Sequence, residues 1–182
     1  MKTLLTTLVV FAAASNVMAQ EESATDLSRY ELFEEGEAII TLADLQDVED
    51  SYKAILADGN CVEAIPTIVE FYEAANRMAS FIKRGNEPYY DASRDDKDAV
   101  NGNRSLLNEL IVAENAFNNL LRQRNRAWVE EAKCLLTEGD REAGITRLYR
   151  ALDYIGTSES ELWEEARTLL WAELGLSVEG NQ

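Results

Sequence analysis

Two cysteines, Cys61 and Cys134, and three alternating arginines, Arg122, Arg124 and Arg126, are the side chains of this 182-residue chain whose type and spacing point most directly to chemistry. Two cysteines far apart in a chain bound for an oxidising compartment are expected to pair, so Cys61 and Cys134 form the candidate disulfide, with two buried free thiols as the alternative. The arginines lie in a stretch without acids, Asn115 to Val129, in an otherwise acidic chain. Arg122 and Arg126 could meet a bound anion or an acidic partner segment. The leading expectation, however, is that they pair with neighbouring acidic helix faces, Arg126 with Glu130 at i and i+4.

What is missing narrows the chemistry further. There is no histidine, which excludes His-based triads, haem ligation through His and nearly every catalytic zinc arrangement. Asp91, Ser93 and Asp95 have the opening alternation of a calcium loop, but Asp96 stands where that loop turns on glycine and Gly102 where it needs a bidentate Glu. A solvated acidic loop is the expected reading. The other carboxylates are scattered over helix faces, with no pair spaced for acid/base work. The sequence therefore predicts no catalysis, no metal and no cofactor, with a carboxylate-based enzyme ranked last among the functional readings.

The termini and the charge set the location and the class of partner. Met1-Lys2, the uncharged stretch Thr3 to Ala14 and the small residues up to Ala19 read as an export signal cleaved after Ala19. Residues 20–182 are then a single domain, with 16 basic against 34 acidic residues once Lys2 is removed. Such acidity opposes binding to nucleic acid or to anionic lipid. No cysteine lies near the cleavage point, which disfavours a lipid anchor, and no later apolar run is long enough to span a bilayer. The expected setting is the periplasm or the exterior of a bacterium, and the expected partner a protein or peptide of the cell envelope.

The elements that must carry these residues read as helices throughout, because apolar residues recur at three and four spacing and proline appears only at Pro66 and Pro88. From Ala38, the residues Ile39, Leu42, Leu45, Val48, Tyr52, Ile55 and Leu56 share one face until Gly59-Asn60. Ile65, Ile68, Val69, Tyr72, Ala75, Met78, Ala79 and Ile82 follow, and Lys83-Arg84-Gly85 predicts the stop. Pro66 either sits in that helix's first turn or kinks it. Glu87 to Asn103 reads as a long polar connection. Leu106 to Leu136 reads as one helix, or as two broken near Arg122 to Asn125. Ser158-Glu159-Ser160-Glu161 predicts a capping box for a last helix, Leu162 to Leu174.

A repeat emerges at a spacing of eighty when Gly59 is set against Gly139. Leu56 meets Leu136, Ile55 meets Leu135, Tyr52 meets Ala132 and Val48 meets Trp128. Beyond the glycine, Asn60 meets Asp140, Ala64 meets Gly144, Ile68 meets Leu148 and Tyr72 meets Leu152. Both copies read as helix, glycine turn, helix, with Gly139 a stop, Asp140 a cap, and Gly144 a close approach facing Ala132.

Trp128, Ala132, Leu135, Gly139, Gly144, Leu148 and Ala151 fall at the spacing of the tetratricopeptide repeat, and Asn125 to Ser158 resembles one such unit. Gly144 replaces the usual Ala, Gly156 stands where Pro is common, and the two copies are not in plain tandem. The fold class is all-α: antiparallel helical hairpins stacked as a short TPR-like array, or an irregular helical bundle. The resemblance implies a protein-interaction scaffold with a concave groove lined by the first helix of each pair.

Two further surfaces are candidates for partner binding. Tyr89 and Tyr90 could line a recognition groove or pin the connection to the core. On the last helix, at 100° per residue, Leu162, Trp163, Ala166, Leu169, Leu170 and Leu174 cover an arc of about 140°, and Trp171 lies roughly 60° beyond it. That rim position suits a partner contact, a homodimer through the C-terminal helix, or packing against a returning N-terminal segment. The leading functional reading is an exported, non-catalytic scaffold or adaptor for a protein or peptide. The alternative is a helical bundle holding a small apolar or cationic ligand near Tyr89, Tyr90 and Trp128.

Overall fold

The computed structural model describes residues 40–176. The expected cleavage after Ala19 and the apolar positions Ala38 and Ile39 lie outside them. The first described helix, α1 (Leu42–Ala57), begins at a reciprocal cap: Asp44 N–H donates to Thr41 Oγ1 at 3.3 Å, and Thr41 N–H donates to the Asp44 carboxylate at 2.8 Å. The Thr41 hydroxyl, which donates to the Asp44 carboxylate at 2.7 Å, and the Thr41 N–H hold the Asp44 carboxyl below its ordinary pKa.

Two chain reversals share one geometry. After α1, Gly59 takes φ +75° and Asn60 N–H donates to Ile55 O at 3.3 Å; after the helix that ends at Thr137, Gly139 takes φ +86° and Asp140 N–H donates to Leu135 O at 2.9 Å. Left-handed backbone at that point is open to glycine at little cost and lets the chain close over the last carbonyls. The next residue then caps the following helix: Asn60 Oδ1 accepts from Glu63 N–H and Asp140 Oδ1 from Ala143 N–H, both at 3.2 Å. Thus α1 folds back into α2 (Cys61–Tyr90), and α4 (Arg104–Thr137) into α5 (Arg141–Tyr154). The eighty-residue repeat is a repeat of hairpins. Ala64 and Gly144 are both buried at its equivalent positions, as are Ile68 and Leu148.

Several boundaries differ from the sequence expectation. Gly85 does not stop α2, which runs on through Pro88 to Tyr90. Pro88 removes the bond to the carbonyl of Arg84, an exposed residue that water can serve, so the interruption is tolerated. Pro66 likewise lies inside α2, beyond its first turn, and the carbonyl it releases belongs to Val62, which is 65% exposed. The expected polar connection Glu87 to Asn103 contains a further helix, α3 (Arg94–Gly102), capped by Ser93 and without a buried residue. Residues 104–137 form one helix, not two. Before α6 (Ser160–Glu173), Ser158 does not cap; a single 3-10 turn, Thr157–Glu159, intervenes, and the Glu159 carboxylate reaches back to Gly156 N–H at 3.4 Å.

Contacts between α2 and α4 descend on one helix as they rise on the other, Cys61 with Cys134, Tyr72 with Trp128 and Asn76 with Arg124, so the two long helices are antiparallel. One core lies among α1, α2 and α4, with Leu45, Tyr52, Ile68, Phe71 and Leu120 buried together. A second lies among α4, α5 and α6 around Trp128, Val129, Leu148, Leu162 and Ala166, and Tyr72 packs against both. The Cys61–Cys134 disulfide is formed, with Cα atoms 5.0 Å apart. Among the described residues no helix is long and apolar enough to cross a membrane.

Candidate functional site

Helix α4 distributes its side chains by the 100° step. Arg122 and Arg126, four residues apart, share a face; Arg124, half a turn from each, points the other way. The two exposed arginines overlook a groove of about 580 Å³. Glu49 and Lys53 of α1 form one wall, Asn119, Arg122, Gln123 and Arg126 of α4 the floor, and Ser158 to Leu162, from the 3-10 turn into α6, the other wall.

Two of the three acids of this groove are engaged, and the third, Glu161, is exposed at the start of α6. Glu49, only 5% exposed, bonds to Lys53 Nζ at 2.7 Å and accepts from Gln123 Nε2 at 3.0 Å, which ties α1 to α4. Glu159 accepts from Asn125 Nδ2 at 3.0 Å. Arg122 and Arg126 have no ion-pair partner among the described residues: Glu130, the carboxylate expected for Arg126, is bound by Lys133 at 3.1 Å instead. Lys133 also reaches Glu165, so one ammonium fastens α4 to α6. Beneath the groove the Tyr52 phenol is buried, and burial, with the nearby Glu49 and Glu130 charges, pushes its pKa up.

The opposite side of α4 carries a second constellation, which the sequence reading did not isolate. Arg124 is 6% exposed, its guanidinium 4.4 Å from the Trp128 ring centroid and 5.0 Å from that of Tyr154. Asn125, also buried, accepts from Arg124 through Oδ1 and donates through Nδ2 to Tyr154 O at 3.2 Å and to Glu159. Arg147 grips Glu131 with Nε 2.7 Å from Oε2 and donates to the Tyr72 hydroxyl at 3.1 Å. Burial pushes the Glu131 carboxyl above its ordinary pKa, against the opposing pull of Arg147. A buried polar residue on an apolar helix face, Asn125 among Leu121, Ala127 and Trp128, was the signal available in the sequence.

No protein-family model, curated protein or solved structure matches this chain. Its geometry therefore has to carry the functional argument.

The other sequence candidates are placed as follows. Tyr89 and Tyr90 stack edge to face at 5.7 Å near the end of α2, where Lys97 donates to Tyr90 O at 2.7 Å. Trp128 instead meets Tyr72 and Tyr154, and the 18 residues of α2 from Tyr72 to Tyr90 span about 27 Å. Tyr89, Tyr90 and Trp128 thus do not share a pocket. The cavity at Trp128 is lined by Arg124, Arg147 and Arg150, the reverse of what a cationic or purely apolar ligand requires. On α6, Trp163 and Trp171 hold the Arg167 guanidinium 4.4 and 4.6 Å from their rings. Trp163 is exposed rather than part of the buried face, which is formed by Leu162 and Ala166 with Leu169 and Leu170 packed against the core. Of the repeat-signature residues, Trp128, Ala132, Gly144, Leu148 and Ala151 are buried, Leu135 is half-buried and Gly139 makes the turn. A Cβ at Gly144 would lie nearest the Leu136 side chain, with the Ala132 carbonyl next at 3.3 Å. Among the described residues, no three Asp, Glu or Cys gather as a metal site.

Proposed function

We propose that this chain is an exported, non-catalytic adaptor that holds an acidic segment of another protein or peptide in the groove between α1, α4 and α6. The carrying observation is the pair Arg122 and Arg126, one turn apart on the groove floor and without carboxylate partners in a chain of 34 acids. Unpaired guanidiniums on a fixed helix face suit bidentate recognition of a partner's carboxylates, while the acidic remainder of the surface discourages other anionic partners. The likeness to tetratricopeptide-repeat proteins supports the reading: α1 and α4 are the first helices of two hairpins with matching turns, and with α6 they line one surface. The 30- and 34-residue lengths of α2 and α4 make the array irregular.

The test is photo-crosslinking in the native envelope from a benzoylphenylalanine placed at Asn119 in the groove, with Tyr149, exposed on α5, as control position. A discrete adduct from position 119 alone, abolished by Arg122→Glu with Arg126→Glu, is the expected outcome. Equal adducts from both positions, or an adduct indifferent to charge reversal, would remove the groove from the reading.

A further inference from the structure

We propose that the cavity between α2, α4 and α5 binds a small organic carboxylate, held between the guanidinium groups of Arg124 and Arg150 beside the ring of Trp128. This site lies on the other side of α4 from the groove and does not depend on the adaptor reading.

The inference starts from the buried charge of Arg124. An ionised side chain taken out of water normally has an ionic partner. The direct partners of Arg124 are neutral: Nε and Nη2 donate to Asn125 Oδ1 at 3.3 and 2.9 Å, and Nη1 donates to Asn76 Oδ1 at 2.9 Å, while the Glu159 carboxylate acts on it from the far side of Asn125. A guanidinium has five N–H donors, so part of its fork has no acceptor among the described residues. A second cation converges on the same ring: Arg150 stands 5.6 Å from the Trp128 centroid, and it too has no ion-pair partner among the described residues. Burial pushes the Arg124 guanidinium below its ordinary pKa, Tyr154 and Glu159 pull against that shift, and the charge of Arg150 adds to it. The Trp128 indole N–H is a further buried donor without a partner.

The shape and the remaining charges select the ligand. The cavity has a volume of about 300 Å³ and is lined by Tyr72, Glu73, Asn76, Arg124, Trp128, Arg147, Arg150 and Tyr154. That is the lower end of the range of roughly 300–1,000 Å³ usual for small-molecule sites. Arg147 is already engaged by Glu131, which leaves Arg124 and Arg150 to meet the anion. Glu73 is the one carboxylate among the lining residues, and it disfavours a dianion or a run of acidic residues. A monoanionic carboxylate on a compact, partly apolar body fits both the two guanidiniums and the aromatic walls.

Benzoate is the probe. In titrations of the intact protein at constant ionic strength, followed by proton–nitrogen NMR, one tryptophan indole signal is expected to shift to saturation. Its assignment to Trp128 is checked by its absence in Trp128→Phe. Arg150→Gln, a change at an exposed position, should raise the apparent Kd at least about tenfold, the loss of roughly one charge-assisted contact. Asn76→Asp supplies Arg124 with a carboxylate from within, so it should raise the melting midpoint and weaken benzoate binding by a similar factor. Arg122→Glu with Arg126→Glu should leave the titration unchanged. A shift no different from that given by added chloride, or saturation unaffected by both Arg150→Gln and Asn76→Asp, overturns the proposal. Inorganic phosphate binding more tightly than benzoate would overturn the assignment to a carboxylate.

Discussion

Cys61, the first residue of α2, and Cys134, one turn from the end of α4, bring together the turn ends of the two glycine-turn hairpins, with Cα atoms 5.0 Å apart. The bond closes a loop that contains all of α2 and α3 and most of α4, and Cys134 is almost fully buried within it. The chain-entropy model assigns closure of a loop of this length about 4 kcal/mol at 25 °C. The double variant Cys61→Ala with Cys134→Ala should lose most of that in urea unfolding, and protein denatured without reductant should show no labelled thiol. A double variant as stable as the parent would mean that the bond closes only a loop already held by α2 and α4 packing.

Gly139 and Gly144 lie five residues apart and serve different needs. A Cβ at Gly139 would meet nothing within 4 Å, but its φ of +86° strains any L side chain; a Cβ at Gly144 would stand 2.7 Å from Leu136 Cδ2 and 3.3 Å from Ala132 O. Gly139→Ala should therefore cost about 1 kcal/mol through the backbone alone. Gly144→Ala sets a helix-propensity gain of roughly 1 kcal/mol against a Cβ 2.7 Å from both Cγ and Cδ2 of Leu136, which packs on the second core and has to shift, and should destabilise by less than a larger side chain does. Gly144→Leu meets the same Leu136 and Ala132 atoms with three further carbons to place, and should destabilise by about 1–3 kcal/mol. Urea midpoints with an unchanged slope would record this order. A raised midpoint for Gly144→Leu would show that α4 and α5 are not in close contact there.

The hairpins were legible because their signals are local. A glycine followed by Asn or Asp after an apolar run specifies a left-handed residue and a cap within six residues, wherever the rest of the chain goes. Gly85 carries the same letters without the consequence, since α2 continues through it and its backbone stays right-handed. The difference is tertiary: the packing of α2 along α4 holds a helix that propensity alone would end. The arginine triplet shows a second limit. Read as a cluster, Arg122, Arg124 and Arg126 suggested one basic patch. Read at 100° per residue, the middle one leaves the patch, yet only the surroundings supplied by Asn76 and Tyr154 from α2 and α5 show that it is buried without a carboxylate in direct contact.

The Arg147–Glu131 pair gives the last prediction, and its sign follows from the direction of the shift. Burial raises the folded-state pKa of Glu131 above its unfolded value, while Arg147 opposes that rise. A raised carboxyl binds more protons in the folded state than in the unfolded one, so it favours folding fully below the unfolded pKa and loses that contribution as pH rises through the folded pKa. Arg147→Ala removes the opposing charge and hydrogen bonds, and the Glu131 pKa should climb further. The variant should therefore be closest to the parent in stability at about pH 4, and the gap should widen with pH by at most about 1.4 kcal/mol per unit before levelling off. The levelled difference should reach about 3 kcal/mol, the usual cost of leaving a buried charge unpaired. Combining Arg147→Ala with Glu131→Gln should abolish the added pH dependence and recover part of the loss. Parallel pH profiles for Arg147→Ala and the parent would show that Glu131 does not depend on Arg147 to stay ionised.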